Sequence, residues 1–126
     1  MVSLLDEWLF VAEADLASAK FQLGDSTLAH ISVYQSHQAV EKMLKAFLVA
    51  NNFEAVPRIH DLRKLYHQVK LLGLNLDQSE NDLLELDSFF PKLRYPIGDR
   101  ITIVEATRCY EIASAICEKV KKIIKK

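Results

Sequence analysis

The stretch from Ala29 to Ala50 constrains the fold of this chain more than any other. At 100° per residue its apolar and small side chains fall on one broad arc of a helix about 33 Å long. They are Ile31, Ser32, Ser36, Ala39, Val40, Met43, Leu44, Ala46, Phe47 and Ala50. Half of them are serine or alanine, and such small residues let a neighbouring helix approach closely. The pattern predicts a helix in the core of a bundle.

Four further stretches carry apolar residues at the three- and four-residue spacing of helices. They span about Leu4–Leu23, Asp61–Leu72, Glu80–Phe90 and Thr102–Lys125. The connector 24–27 is so short that the first two helices must run antiparallel. Since no alternating strand pattern runs longer than a few residues, we predict an all-α fold, a five-helix up-and-down bundle that forms a single domain over residues 1–126.

Length and charge limit the classes of function. The chain has 126 residues, 50% of them apolar, and a net charge of −1. This length can bury a core without metal or disulfide support, and the near-neutral charge gives no general attraction to nucleic acid or membrane. No apolar run reaches the roughly 18 residues that cross a bilayer, and the first ten residues carry two acids where a signal peptide carries bases. We expect a cytoplasmic protein with no membrane contact.

Sequence motifs for metal or nucleotide binding are absent. The four histidines form two pairs that are each seven residues apart, which is not the spacing of a helical zinc site. The three glycines are too scattered to form a phosphate-binding loop. Cys109 and Cys117 stand eight residues apart on one predicted helix, too far apart to be bridged. We expect no metal, no cofactor and two buried free thiols.

The segment from Pro91 to Arg100, PKLRYPIGDR, predicts a rigid and locally positive loop. Arg94 is its leading candidate for ligand binding, because a guanidinium presents a planar fork to phosphate. Tyr95 could stack on a base, and Pro96 would stiffen the backbone that orients both. The alternative is an ion pair between Arg94 and Asp15, and the two are compatible because an acid that orients the guanidinium would pre-organise it.

A second arc of the core helix carries four polar residues: Gln35, Gln38, Lys42 and Lys45. Together they could bind phosphate or form ordinary solvated surface. His60 and Asp61 lie at the start of the third predicted helix and could act as an acid-base pair. Adjacent side chains on a helix point about 100° apart, so a cap formed by Asp61 or the residue before it is the simpler interpretation.

Three of these strings together resemble the HEPN domain, a small all-helical module of prokaryotes and some eukaryotes. They are QSHQAVEKMLKAFL, then His60-Asp61-Leu62, then Leu93-Arg94-Tyr95-Pro96. The resemblance extends from Trp8 through the last helix. It implies an all-helical fold and a homodimer formed through the helices, with the Arg94 loops near the shared interface.

The resemblance also bears on catalysis. In HEPN ribonucleases an arginine is followed after four to six residues by a histidine, and the two cooperate across a dimer to cleave RNA. After Arg94 the corresponding positions hold Asp99, Arg100 and Ile101, and no histidine follows. The sequence therefore offers no evident general base for a ribose 2′-hydroxyl at this site. His60 could enter the site from elsewhere, but nothing in the sequence places it there.

The resemblance thus implies a non-catalytic HEPN binding module, similar to those encoded beside minimal nucleotidyltransferases in toxin-antitoxin-like pairs. It would engage RNA, a nucleotide or a nucleotidyltransferase partner through the Arg94-Tyr95-Pro96 loop. Further candidate site residues are Gln38, Lys42, Lys45, Asp15 and His60. Two alternatives remain open: a metal-independent ribonuclease with a displaced base, and a purely structural dimerisation module.

Overall fold

The computed structural model describes residues 3–53 and 55–125, and over these residues it is all-α. The helices are α1 (Leu4–Gln22), α2 (Ala29–Ala50), α3 (Leu62–Lys70), α4 (Glu80–Ser88), α5 (Phe90–Arg94) and α6 (Ile103–Ile124). Within the described ranges five of them have nine residues or more, and α5 has five. The predicted five-helix fold is confirmed, with α5 as an addition.

α2 is the central helix, and it contacts each of the other five described helices. Small residues allow α1 to approach it closely, as predicted: the Ser32 hydroxyl donates to the carbonyl of Ala19 at 2.8 Å. The solvated-surface interpretation of the polar side of α2 is wrong at Lys45, which is only 5% exposed. His37 and Glu41 are buried on α2 as well, so this helix is enclosed around more of its circumference than its apolar arc predicted.

The sequence predicts side-chain caps at Ser3 for the first helix and at Asp61 for the third, and both are confirmed. Ser3 Oγ accepts from the Asp6 N–H at 3.1 Å, and Asp61 Oδ1 accepts from the Lys64 N–H at 3.0 Å. The three-residue spacing of Thr102 and Glu105 predicts a capping box, and the two residues cap α6 reciprocally. The sequence also offers Asp77 or Ser79 as the cap of the helix that follows them, and this prediction is wrong, because no side chain caps the start of α4.

The segment predicted as a loop begins as a helix. The predicted fourth helix, expected to reach Phe90, ends at Ser88, and α5 starts at Phe90. Pro91 is compatible with this because the N–H that proline lacks has no acceptor in the first turn of a helix. Phe90 and Arg94 are consequently one helical turn apart on α5, which gives Arg94 a support that the sequence did not reveal.

The two cysteines are buried free thiols, as predicted. Cys109 and Cys117 both lie on α6, and burial raises the pKa of each thiol to about 12.

Of the helices described, none is both long enough and apolar enough to cross a membrane. Between α2 and α3, residues 51–53 and 55–60 contain no helix, and Glu54 lies outside the described residues.

Candidate functional site

Two depressions meet at Arg94. The first, here called the hollow, has a volume of about 300 Å³ and is lined by Tyr34, Gln38, His60, Phe90, Leu93 and Arg94. The second, here called the groove, has a volume of about 770 Å³. It is lined by residues 92–103 together with Ser26, Thr27 and His30. Leu93 and Arg94 belong to both linings, so the two cavities adjoin at the C-terminal end of α5.

Arg94 is held by stacking. Its Cζ atom lies 5.1 Å from the centroid of the Phe90 ring, a cation-π contact within one turn of α5. The proposed ion pair with Asp15 is wrong, because Asp15 Oδ2 instead accepts from Lys42 Nζ at 2.5 Å. Among the described residues no carboxylate pairs with Arg94. The guanidinium is therefore positioned while its N–H donors remain available to a ligand.

His60 lies in the same hollow and is oriented by a buried carboxylate. Its Nδ1 atom is 3.1 Å from Glu41 Oε1, and its side chain is 57% exposed. Glu41 is itself buried, and its other oxygen accepts from Lys45 Nζ at 3.1 Å. The partner of His60 is thus Glu41 on α2 and not the adjacent Asp61, which caps α3. A carboxylate on one ring nitrogen fixes the imidazole plane and leaves Nε2 for a ligand.

A buried network connects the walls of the hollow. On one side the His37 ring packs against the ring of Phe90, with centroids 4.7 Å apart and a tilt of 57°. On the other, His37 Nε2 lies 2.9 Å from Asp87 Oδ1. Asp87 also accepts from the N–H groups of Leu62, at 3.0 Å, and Arg63, at 3.3 Å. These contacts connect the start of α3, just after His60, to the Phe90 ring, which supports Arg94.

The Asp87 carboxyl is kept ionised by this network. Burial acts to raise its pKa, but the hydrogen bond to His37 and those from the backbone N–H groups of Leu62 and Arg63 act against burial and prevail. The pKa of Asp87 is therefore lowered from its ordinary value. An ionised carboxylate at this position is the acceptor that the start of α3 needs.

Of the site residues predicted from the sequence, the structure brings some together and separates others. Arg94, Gln38 and His60 line the hollow, and Tyr95 lines the groove with Arg94. The remaining three line neither cavity: Lys42, Asp15 and Lys45. They form two ion pairs, Lys42 with Asp15 and Lys45 with Glu41.

Sequence reasoning missed Tyr34, Glu41 and Phe90. A signal was available for two of them, since Tyr34 stands four residues before Gln38 and Phe90 four before Arg94, the spacing of neighbours on one helix face. Glu41 gave none, because its partner His60 is 19 residues away in the chain. Over the described ranges, no three His, Cys, Asp or Glu side chains are grouped as a metal site would require.

Comparisons with known proteins agree with this architecture. The family model described as the HEPN domain matches residues 5–123. TT1696 from Thermus thermophilus is a solved structure with 23% identity and a TM-score of 0.72, and the match covers 94% of this chain and 96% of that one. ST0689, described as an archaeal HEPN homologue, has 23% identity and a TM-score of 0.75, with coverage of 98% and 99%. No curated protein matches the chain. At this identity the solved structures establish a common fold alone.

Proposed function

The chain belongs to the HEPN family, and we propose that it is a non-catalytic HEPN binding module that holds a phosphate-bearing ligand, RNA or a nucleotide, at Arg94. One observation carries the proposal: Arg94 is stacked on Phe90 at the junction of two cavities and has no acidic partner among the described residues. An arginine positioned in this way can offer two parallel N–H donors to a phosphate.

The charge around Arg94 supports the same proposal. The net charge of the whole chain is −1, yet the groove is lined by Lys92, Arg94 and Arg100 with a single acid, Asp99. A local cationic surface on a nearly neutral protein attracts polyanions at short range, and its contribution falls with added salt.

A second candidate function is metal-independent RNA cleavage, and it is favoured by the pairing of His60 with Glu41 in the hollow that contains Arg94. His60 would take the proton of a ribose 2′-hydroxyl as its oxygen attacks the adjacent phosphorus, and Arg94 would stabilise the charge on the phosphate oxygens. The departing 5′-oxygen also needs a proton donor. This reaction uses a base and an acid together, whereas His60 lines the hollow and the other histidine beside these cavities, His30, lines the groove. Binding therefore remains our leading proposal.

The proposal extends to protein partners. A homodimer is supported by an exposed stripe on α1 with four- and three-residue spacing: Phe10, Ala14, Ala17 and Phe21. Two aromatic residues flanking two small ones suit helix packing about a two-fold axis. The same loop, Arg94-Tyr95-Pro96, is also the proposed binding site for a nucleotidyltransferase partner in a toxin-antitoxin-like pair. Such a partner would compete with RNA for Arg94.

The test compares Arg94→Ala with the native chain in fluorescence anisotropy titrations against labelled RNA and labelled nucleotides at low salt. We expect the substitution to weaken binding by at least about tenfold, since hydrogen bonds to charged groups contribute about 1.5–3 kcal/mol. Arg94→Lys should restore part of the affinity, because it retains the charge and loses the fork. Lys119→Ala, which removes an exposed charge on α6, should change affinity less than twofold.

Two results would overturn the proposal. Equal affinity of Arg94→Ala and the native chain would show that Arg94 does not hold the ligand. Cleavage of unlabelled RNA by the native chain in the presence of a chelator, abolished by His60→Ala, would instead establish the ribonuclease function.

A further inference from the structure

We propose that the ligand is single-stranded RNA, with one unpaired base in the hollow and its sugar-phosphate chain along the groove. This inference rests on the function proposed above. It narrows the ligand from any phosphate-bearing molecule to a polynucleotide whose bases are free of a duplex.

The hollow has the chemistry of a base-binding subsite. Its volume of about 300 Å³ is at the small end of the range for ligand pockets, which suits one flat ring system. Tyr34, with a relative exposure of 45%, offers an aromatic face, and Gln38 adds an amide with a donor and an acceptor side by side. Proteins hold unpaired bases by stacking on aromatic rings and on guanidinium planes, combined with hydrogen bonds to base edges.

The Phe90 ring has a different part in this subsite. His37 packs against it, and the Arg94 guanidinium lies over it. Phe90 is therefore engaged within the protein, and Tyr34 is the aromatic side chain of the hollow that remains for a base. The stack of Phe90 and Arg94 forms a cationic wall for the same subsite.

The groove has the chemistry of a backbone-binding subsite. It is larger, about 770 Å³, and its charged lining is mainly basic: Lys92, Arg94 and Arg100 with Asp99. Tyr95 is its single aromatic side chain. Basic grooves that follow a phosphodiester chain, next to aromatic platforms for bases, are the general arrangement of single-strand binding.

The position of the two cavities on either side of Leu93 and Arg94 favours a polynucleotide. One ligand that fills both carries a base for the hollow and a sugar-phosphate chain for the groove. The groove, at about 770 Å³ against about 300 Å³ for the hollow, has room for a longer chain than the phosphates of a mononucleotide. A duplex keeps its bases stacked and paired, and inserting one into the hollow would require breaking that stack.

The experiment measures the affinity of the native chain for three fluorescent probes. They are an eight-nucleotide RNA of mixed sequence, the same strand annealed to its complement, and the same strand made abasic throughout. We expect the single strand to bind at least about tenfold more tightly than either of the others, since stacking of one base on an aromatic side chain contributes a factor of about 5 to 150.

Two variants assign the subsites. Tyr34→Leu should weaken the base-bearing strand by about tenfold and leave the abasic strand unchanged. Arg100→Gln should weaken both strands equally and reduce the slope of log affinity against log salt by about one. Phe53→Leu, which removes an exposed aromatic side chain that lines neither cavity, is the matched control and should bind all probes as the native chain does.

The outcomes separate this inference from the proposed function. If single strand and duplex bind equally while Arg94→Ala still loses affinity, the inference is overturned and the phosphate-binding function stands. If Tyr34→Leu weakens the binding of base-bearing and abasic strands equally, the inference is likewise overturned and the phosphate-binding function stands. If no RNA and no nucleotide binds the native chain, both proposals are overturned.

Discussion

The Nε2 atom of His37 lies 2.9 Å from Oδ1 of Asp87, and through this hydrogen bond a fully buried side chain of α2 connects both walls of the hollow. Asp87 accepts from the first N–H groups of α3, which begins two residues after His60. His37 packs against Phe90, which in turn supports Arg94. The geometry of the exposed site thus depends on a pair that no ligand would touch.

Replacing His37 by Phe tests this dependence. The variant keeps a ring against Phe90 and removes the donor to Asp87, so we expect a loss of about 1–3 kcal/mol in the free energy of unfolding. We also expect weaker RNA binding, because the buried support of both walls is lost. Urea unfolding followed by circular dichroism gives the first quantity and anisotropy the second. Native affinity in a measurably destabilised variant would contradict the role of His37 in positioning the site.

Tyr66→Phe provides the matched comparison. The buried Tyr66 hydroxyl donates to Asp77 Oδ1 at 2.7 Å and accepts from the Leu76 N–H at 2.6 Å, and none of these three residues lines either cavity. Removing it leaves a buried N–H without its partner, so we expect a similar loss of about 1–3 kcal/mol in the free energy of unfolding. RNA affinity measured under native conditions should stay within twofold. A large fall in affinity would mean that destabilisation alone accounts for the His37→Phe result.

Asp87→Asn should change the acid stability of the protein. The folded pKa of Asp87 is lowered, so its carboxylate contributes stability above the unfolded value of about 3.9, and this contribution is lost as the pH falls through the folded pKa. The asparagine variant should be less stable at pH 7 and should lose less stability between pH 5 and pH 2. Thermal unfolding across this range measures both. Parallel curves for variant and native chain would refute the assignment. The pKa values of Asp25 and Asp77 are lowered too, so the acid dependence should decrease without disappearing.

Phe90→Leu tests the support of Arg94. Removing the ring deletes the cation-π contact, and we expect RNA affinity to fall by about 2- to 30-fold, corresponding to about 0.5–2 kcal/mol. Phe89→Leu is the control, since Phe89 is also half-buried but packs against the core. The comparison uses anisotropy with the eight-nucleotide RNA. Equal affinities for the two variants would show that Arg94 does not need the ring.

The two thiols should be inert in the folded protein. Burial is the main cause that raises the pKa of Cys109 and Cys117 to about 12, so the reactive thiolate is scarce at pH 8. We expect no reaction with an aromatic disulfide reagent within minutes in buffer and two equivalents in denaturant. Rapid native labelling would show that α6 opens locally.

Much of the fold could be predicted because its signals are local. The bounds of α2 were predicted correctly, since helical periodicity is visible in the chain itself. The Thr102–Glu105 cap was found for the same reason. α5 was missed because the two prolines and the glycine of the segment from Pro91 to Arg100 predict a loop, although proline is also acceptable in the first turn of a new helix.

The site was predictable only in part. Arg94 was found from its chemistry, but its neighbours depend on tertiary contacts. Glu41 and Lys45 stand four residues apart on a helix, where a surface pair is the usual expectation, and burial of both could not be read from their spacing. Asp15 was assigned the wrong cation because periodicity does not report which basic side chain of the next helix lies opposite.

In the short α5, the number of residues between Phe90 and Arg94 is itself a determinant of ligand recognition. A single residue separates it from α4, and four positions bring Phe90 and Arg94 onto the same side of its one turn. One residue inserted between them would rotate the guanidinium by about 100°, away from its aromatic support, with no change in net charge or in the remainder of the bundle. A related protein could therefore retain the arginine and still lose the ligand through its spacing alone.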